Sequence, residues 1–341
     1  MGVLAFLFGK THYFYGMKRM SSRCLTLVSV SILLLFSCNK TRYTPAAATA
    51  LFQLDVHTQA EDQIRIPNEI DALFNDINTV LLYKGDTVNS VPDTITSSFP
   101  NLCGIYQVIK NYVDTPYLVT MQYDGTTCDG LRARLGTIFI YVNPGTSFSN
   151  ANDTIGVNFD NFKTYWLADD DSVTLNGTFY LVDSTGGNLA TFNAASQPIV
   201  QQIIGVNINV LFENQTTGNW QIGRRRTYTY NSGLVITTTG IDTASGFQSV
   251  TEYGGNRYGN GFITSVTTPL VVSQGCSWRI TAGQEQLVNP AGTTILTFAV
   301  DSLGNRVTGC PANGTNYYYK ASWTGTGEAP DTAQFHYYSN Y

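Results

Sequence analysis

The side chains best able to do chemistry in this 341-residue chain are its acids. Glu213, Asp242, Glu252, Glu285 and Asp301 all fall in or beside β-rich stretches. Glycoside hydrolysis asks for little more than two carboxyl groups facing a sugar across a cleft, one protonated and one ionised. Convergence of any two of these acids is a matter for the tertiary structure, and no long insertion supplies an obvious deep cleft. Histidine chemistry is short of raw material, because the chain has 3 histidines. His57, followed by Glu61 and Asp62, is the nearest thing to a general base, and its preferred reading is a solvated or locally capped side chain. The chain carries no G-x-S-x-G, H-E-x-x-H, phosphate-binding loop or dinucleotide fingerprint, so no catalytic residue is assigned.

Binding chemistry is better supplied. Tyr253, Arg257, Tyr258 and Phe262 cluster in a glycine-rich stretch, where rigid rings beside polar groups suit a sugar or peptide ligand. They are the candidate ligand-binding residues. Asp169, Asp170 and Asp171 form a weak candidate for calcium, without EF-hand spacing; the preferred reading is a solvated acidic loop. No cofactor is otherwise implied. Arg224, Arg225 and Arg226 read as a surface cluster at a strand start, satisfied by water or local acids, with alternation setting Arg224 and Arg226 on one face and Arg225 on the other.

The elements that must position these groups are mostly strands. Val206, Ile208, Val210 and Phe212 alternate with polar residues, as a half-buried antiparallel strand requires. Similar patterns cover 117–123, 135–142, 173–182, 227–230, 234–239, 276–281, 295–300 and 316–323, separated by turns rich in Gly, Asn and Asp. Residues 51–56 read as a short extended segment. One helix is expected: Pro67 opens it, and Ile70, Leu73, Phe74, Ile77 and Leu81 form an apolar stripe flanked by Glu69, Asp71, Asp76 and Asn78. The fold class is therefore all-β, in antiparallel sandwich-like modules with one short N-terminal helix covering a face or end of a sheet.

Composition narrows the setting. Only 13% of residues are charged and the formal net charge is −5, so no basic stripe for nucleic acid is present. Near the N-terminus a basic patch, Lys18, Arg19 and Arg23, precedes an apolar run from Leu25 to Phe36 that is too short to span a bilayer comfortably. This is the layout of a secretory signal, with translation starting at Met17 or Met20 and residues 1–16 an extension.

The run ends in Phe36-Ser37-Cys38-Asn39-Lys40, which resembles the lipobox of Bacteroidetes lipoproteins. The resemblance extends to Cys128-Asp129-Gly130-Leu131-Arg132-Ala133-Arg134-Leu135-Gly136-Thr137-Ile138 and to Pro269-Leu270 with Cys276-Ser277-Trp278-Arg279-Ile280-Thr281-Ala282-Gly283, phrases similar to ones found in a group of envelope lipoproteins of that phylum. The first phrase is one residue longer here than in its simplest version. The likeness implies cleavage before Cys38, acylation of Cys38 with palmitate-type chains, and an outer-membrane location. Two or more chains anchor firmly where one would not. It carries over no catalytic residue. Asn39-Lys40-Thr41-Arg42 lacks the acids that often follow the cysteine in surface-exported members, so the periplasmic and the surface face both stay open.

With Cys38 assigned to lipid and Cys24 to the signal, Cys103, Cys128, Cys276 and Cys310 remain, and four cysteines allow three pairings. Cys103–Cys128 and Cys276–Cys310 are expected, because each pair is local and falls in the same order of strand, strand, polar turn carrying the second cysteine, and strand. That apparent repeat divides the chain into a signal (1–37), a lipidated tether (38–50), a helix with a first β module (51–185) and a second β module (186–341). The expected function is non-catalytic: binding, adhesion or assembly with glycans or other envelope proteins from a membrane anchor. The alternative is a carbohydrate-active enzyme or a glycan-binding accessory protein.

Overall fold

The computed structural model describes residues 45–82, 93–95, 102, 104–111, 116–128, 132–144, 149–167, 170–276, 278–307, 309–310, 318–325 and 331–336. Cys38, the signal, the first part of the tether, Cys103 and Asp169 lie outside them, as does the side chain of Cys128.

The described residues are all-β with one helix. Helix α1 is Pro45–Leu82, and the strands follow as β1 (Asp93–Ile95), β2 (Ile105–Asn111), β3 (Tyr117–Cys128), β4 (Arg132–Val142), β5 (Asp153–Trp166), β6 (Asp171–Asp183), β7 (Ile199–Phe212) and β8 (Thr217–Tyr230). Then come β9 (Leu234–Gly240), β10 (Asp242–Ala244), β11 (Phe247–Gly255), β12 (Gly261–Ser273), β13 (Arg279–Asn289), β14 (Gly292–Val300), β15 (Tyr318–Gly325) and β16 (Asp331–His336). All pair antiparallel in one 16-stranded sheet. The order is almost that of the sequence, since short turns let each strand pair with the one just before it. Val182 of β6 faces Gln202 of β7, so the ladder continues across the expected module boundary at 185/186.

One place departs from that order. Strands β9 and β11 share a single lane between β8 and β12: β11 pairs with residues 219–222 of β8 and β9 with residues 224–230. Across that lane β12 pairs with β11 through residues 261–265 and with β9 through residues 270–273, so the four strands close a circuit of pairings. Where β9 ends beside β11, a β-carbon at Gly240 would stand 2.2 Å from the Ser249 backbone, so only glycine fits.

The sheet curls around α1. From Gln59 to Leu81 only Thr79 is exposed, and side chains of β2, β4, β5, β8, β12 and β13 hydrogen-bond to the helix. A helix enclosed on every side by one sheet requires that sheet to bend around it. Ile66, Ile70, Leu73, Phe74, Ile77 and Val80 join the inner residues of β2–β8 in one apolar core. Ala60 and Ile64 join a second core built on β12–β15. Phe74, Phe159 and Phe179 meet at the centre of the first, with ring centroids 4.7 Å apart for Phe159 and Phe179 and 5.5 Å for Phe74 and Phe179.

The expected helix start is corrected. Pro67 lies inside α1, and residues 51–56 are helical rather than extended. Proline suits a first turn but does not compel one; here the burial of Ala60, Ile64 and Ile66 against the sheet outweighs the one backbone rung that Pro67 removes. Strand β5 was not legible because its alternation breaks. Phe159 and Phe162 are both buried, and between them Asp160 and Asn161 bulge outward, with Asn161 at φ 48°. Gly136 of β4 sits under this bulge at φ 118°, and a β-carbon there would stand 2.5 Å from the Asn161 carbonyl oxygen.

Candidate functional site: the charged seam around the helix

Asp62, Glu69 and Asp76 repeat every seven residues and so form one slowly drifting stripe along α1. Each meets arginine. Arg134 Nε donates to Glu69 Oε1 at 2.6 Å and its Nη1 to Asp76 Oδ2 at 2.7 Å. Arg132 Nη1 donates to Glu69 Oε2 at 3.1 Å, and Thr164 Oγ1 to Glu69 Oε1 at 3.1 Å. Arg132 and Arg134 are two apart on β4, so both point inward. Burial opposes ionisation of Glu69, but the Arg134 and Arg132 guanidiniums outweigh it and hold its carboxyl below the usual range. Asp76, with a weaker share of the same arginines, is pushed up to about 6 by burial.

The opposite side of α1 carries Asp71, Asn75 and Asn78, and meets Arg224 and Arg226 of β8. Arg224 reaches Asp71 Oδ2 at 3.0 Å, donates to the Pro67 carbonyl at 3.2 Å, and binds Glu252 of β11 through Nε at 2.6 Å and also through Nη2. Arg226 donates to Asn75 Oδ1 at 2.7 Å and to the Asp71 carbonyl at 3.2 Å. Asn78, Gln201 and Tyr228 form a buried hydrogen-bonded trio beyond them. The surface reading of the arginine triplet is therefore corrected. Alternation does separate Arg225, which is exposed, from Arg224 and Arg226, but the buried pair clamps the helix. Likewise Glu69 and Asp71, which flank the apolar stripe, are contacts that seat α1.

The glycine-rich stretch expected to bind a ligand is the β11–β12 hairpin. Arg257 is turned inward, donating to both oxygens of Asp62 at 2.5 and 2.7 Å and to Glu213 Oε1 at 2.7 Å, with its guanidinium 4.2 Å from the Phe212 ring centroid. Phe262 is buried edge-on against Trp220, with centroids 4.9 Å apart. Of the four residues, Tyr258 is exposed and Tyr253 half-buried, so the structure divides the group between core and surface. Burial raises Asp62 to about 7 against the pull of Arg257.

The remaining candidates scatter. Asp171 pairs with Arg65 at 2.8 Å, and Asp170 is exposed at φ 53°. Among the described residues, no group of three or more His, Cys, Asp or Glu side chains is arranged to hold a metal ion. His57 lies on α1, 3.5 Å from Glu61 one turn on. Asp301 caps its own turn, accepting from the backbone of Leu303 at 2.8 Å and Asn305 at 2.9 Å, and Asp242 stands at the start of β10. Cys276 and Cys310 form the expected disulfide, with a Cα–Cα distance of 5.0 Å, tying the start of β13 to the β14–β15 connection.

Sequence reasoning missed the seam as a unit. Its signal was present: Arg132-x-Arg134 and Arg224-x-Arg226 each place two cations on one strand face, and the helix offers acids on two opposite faces. The arrangement fixes the helix in rotation and in height, because one slip by a residue would leave several buried charges unpaired. No protein-family model, curated protein or solved structure matches this chain. Among the described residues no helix is long and apolar enough to cross a membrane, which leaves membrane-crossing strands unaddressed.

Proposed function

We propose that the chain is a non-catalytic envelope lipoprotein, acylated at Cys38 and held at the outer membrane, that works by binding glycans or other envelope proteins. The observation that carries this reading is the division of side chains between the two faces of the sheet. The inner face spends its arginines and acids on α1. On the outer face, Leu118, Tyr141, Gly156, Tyr180 and Ile204 lie in register across β3–β7. Tyr141 is 38% and Tyr180 44% exposed. Gly156 lacks a β-carbon, and the Tyr141 ring edge lies 3.8 Å from where one would be. That ring thus reaches toward the sheet and presents itself beside Tyr180, with Asn158 and Thr178 in the next row. Flat tyrosines beside uncharged hydrogen-bonding groups suit a sugar or a peptide surface.

A carbohydrate-active enzyme is the alternative. Two of the acids first considered, Glu252 and Glu285, do lie close enough for their charges to interact, but they are 0% and 2% exposed. A sugar would have to occupy the place of α1, which weighs against hydrolysis. We keep the sandwich-like description of the fold for the way the inner faces of β2–β8 and β12–β15 approach α1 from different sides.

Two measurements test the reading. Metabolic labelling with palmitate should mark the wild-type protein and not Cys38→Ala; equal labelling would remove the anchor. Binding to outer-membrane glycans and envelope extracts should weaken at least tenfold in Tyr141→Ala/Tyr180→Ala with the fold intact, and unchanged binding would remove the platform.

A further inference from the structure

Arg224 sits among three carboxyl groups drawn from three separate elements: Asp71 of α1, Glu252 of β11 and Glu285 of β13. All four side chains are buried. If every acid were ionised, the group would still carry one uncompensated negative charge after Arg226, which reaches the Asp71 backbone, is counted with Arg224, and such a burden in a site closed to water is relieved by keeping a proton. The hydrogen bonds say which acid keeps it. Arg224 gives its donors to Glu252, Asp71 and the Pro67 carbonyl, and Thr251 Oγ1 donates to Glu252 Oε2 at 3.0 Å. Glu285 receives none of these. Its register partners on either side are apolar, Val266 of β12 and Leu296 of β14. Asp71 Oδ1 is buried without a hydrogen-bond partner, so a second acid of the group is also incompletely satisfied.

We propose that Glu285 is a buried proton-holding residue that keeps α1 seated in the sheet, and that loss of its proton at alkaline pH loosens the helix. The charged groups that face it are Asp71 from α1, Arg224 from β8 and Glu252 from β11; β12 and β14 contribute no charge at its register positions. Burial first, then the charges of Glu252 and Asp71, push Glu285 up to about 8, with Arg224 pulling the other way. The ordinary value is 4.5. The folded state therefore holds a proton that the unfolded chain has released between those two values. Stability from this group is complete below 4.5 and is lost as pH rises through about 8. This inference is independent of acylation and of the tyrosine platform.

The test is denaturant unfolding of the full chain at roughly pH 5, 7 and 9, with wild type and Glu285→Gln compared. Glutamine keeps the shape and cannot ionise. The wild-type unfolding constant should rise at least tenfold between the lowest and highest pH, and Glu285→Gln should flatten that rise and exceed wild-type stability at the highest pH. An unchanged slope, or an equal loss at every pH, would overturn the proposal. If Glu285→Gln does not fold, infrared spectroscopy of the wild type decides: a protonated carboxyl band that persists at neutral pH and disappears on alkalinisation supports it, and no such band refutes it. Hydrogen exchange at residues 59–81 should also accelerate beyond the intrinsic base-catalysed increase as the band disappears; exchange that only follows the intrinsic rate removes the helix from the proposal.

Discussion

Glu69 of α1 and Arg134 of β4 lie 65 residues apart in sequence and 2.6 Å apart in space, and neither is more than 1% exposed. The pair joins the middle of the helix to the sheet at a point that water does not reach. A buried pair of this kind is a weak source of net stability, because both ions lost their hydration to form it. Its value lies in what happens when one partner is missing.

Glu69→Ala should destabilise the protein by about 3–5 kcal/mol, because Arg132 and Arg134 would be left as buried cations with fewer acceptors. Urea unfolding measures the loss. A cost under about 1 kcal/mol, typical of exposed pairs, would mean that solvent or a neighbour replaces the carboxylate.

The acid limb of stability should run opposite to the alkaline one. The carboxyl of Glu69 is held below its ordinary 4.5, so its contribution is present above that value and is lost as pH falls through its lower folded value. Together with the proton on Glu285, this places the stability maximum near the mildly acidic side, roughly pH 5. Thermal melting across the pH range checks it, and a maximum above neutrality would contradict it.

Two glycines in neighbouring strands should respond differently to alanine. Gly136 is at φ 118° with the Asn161 carbonyl where a β-carbon must go, so Gly136→Ala should cost more than about 1 kcal/mol and disturb the β4–β5 bulge. A β-carbon at Gly156 meets only ordinary contacts, the nearest 3.7 Å away. Gly156→Ala should thus be neutral or stabilising by about 0.4–1 kcal/mol while lifting the Tyr141 ring. Melting temperatures of the two variants, with binding measured for the second, separate stability from function.

The Cys276–Cys310 disulfide closes a separation of 34 residues, and the double serine variant should lose about 2–4 kcal/mol. Reductant should cost the wild type more than the variant by about that amount, since the expected Cys103–Cys128 bridge is common to both. Equal sensitivity of both to reductant would place the effect elsewhere.

Much of the architecture was legible because it is written locally. Alternation marked strands such as β7 and β9, the spacing of Ile70, Leu73, Phe74, Ile77 and Leu81 marked the helix, and the bracketing of two strands by Cys276 and Cys310 marked the bridge. Strands interrupted by a bulge, such as β5, were hidden, since one extra residue inverts the inside–outside pattern on which the reading depends.

By itself, the sequence determined an all-β chain with one helix, a disulfide, and a supply of acids, arginines and tyrosines. Only the tertiary structure decided which faces those groups occupy. Period and propensity act over a few residues, whereas Glu69 finds Arg134, and Asp71 finds Arg224, only after the sheet has curled around the helix. Burial then changes what each charge means. An arginine that reads as surface becomes a clamp, and Glu252 and Glu285, two of the five acids that could have served hydrolysis, become part of the seam that holds the helix in place.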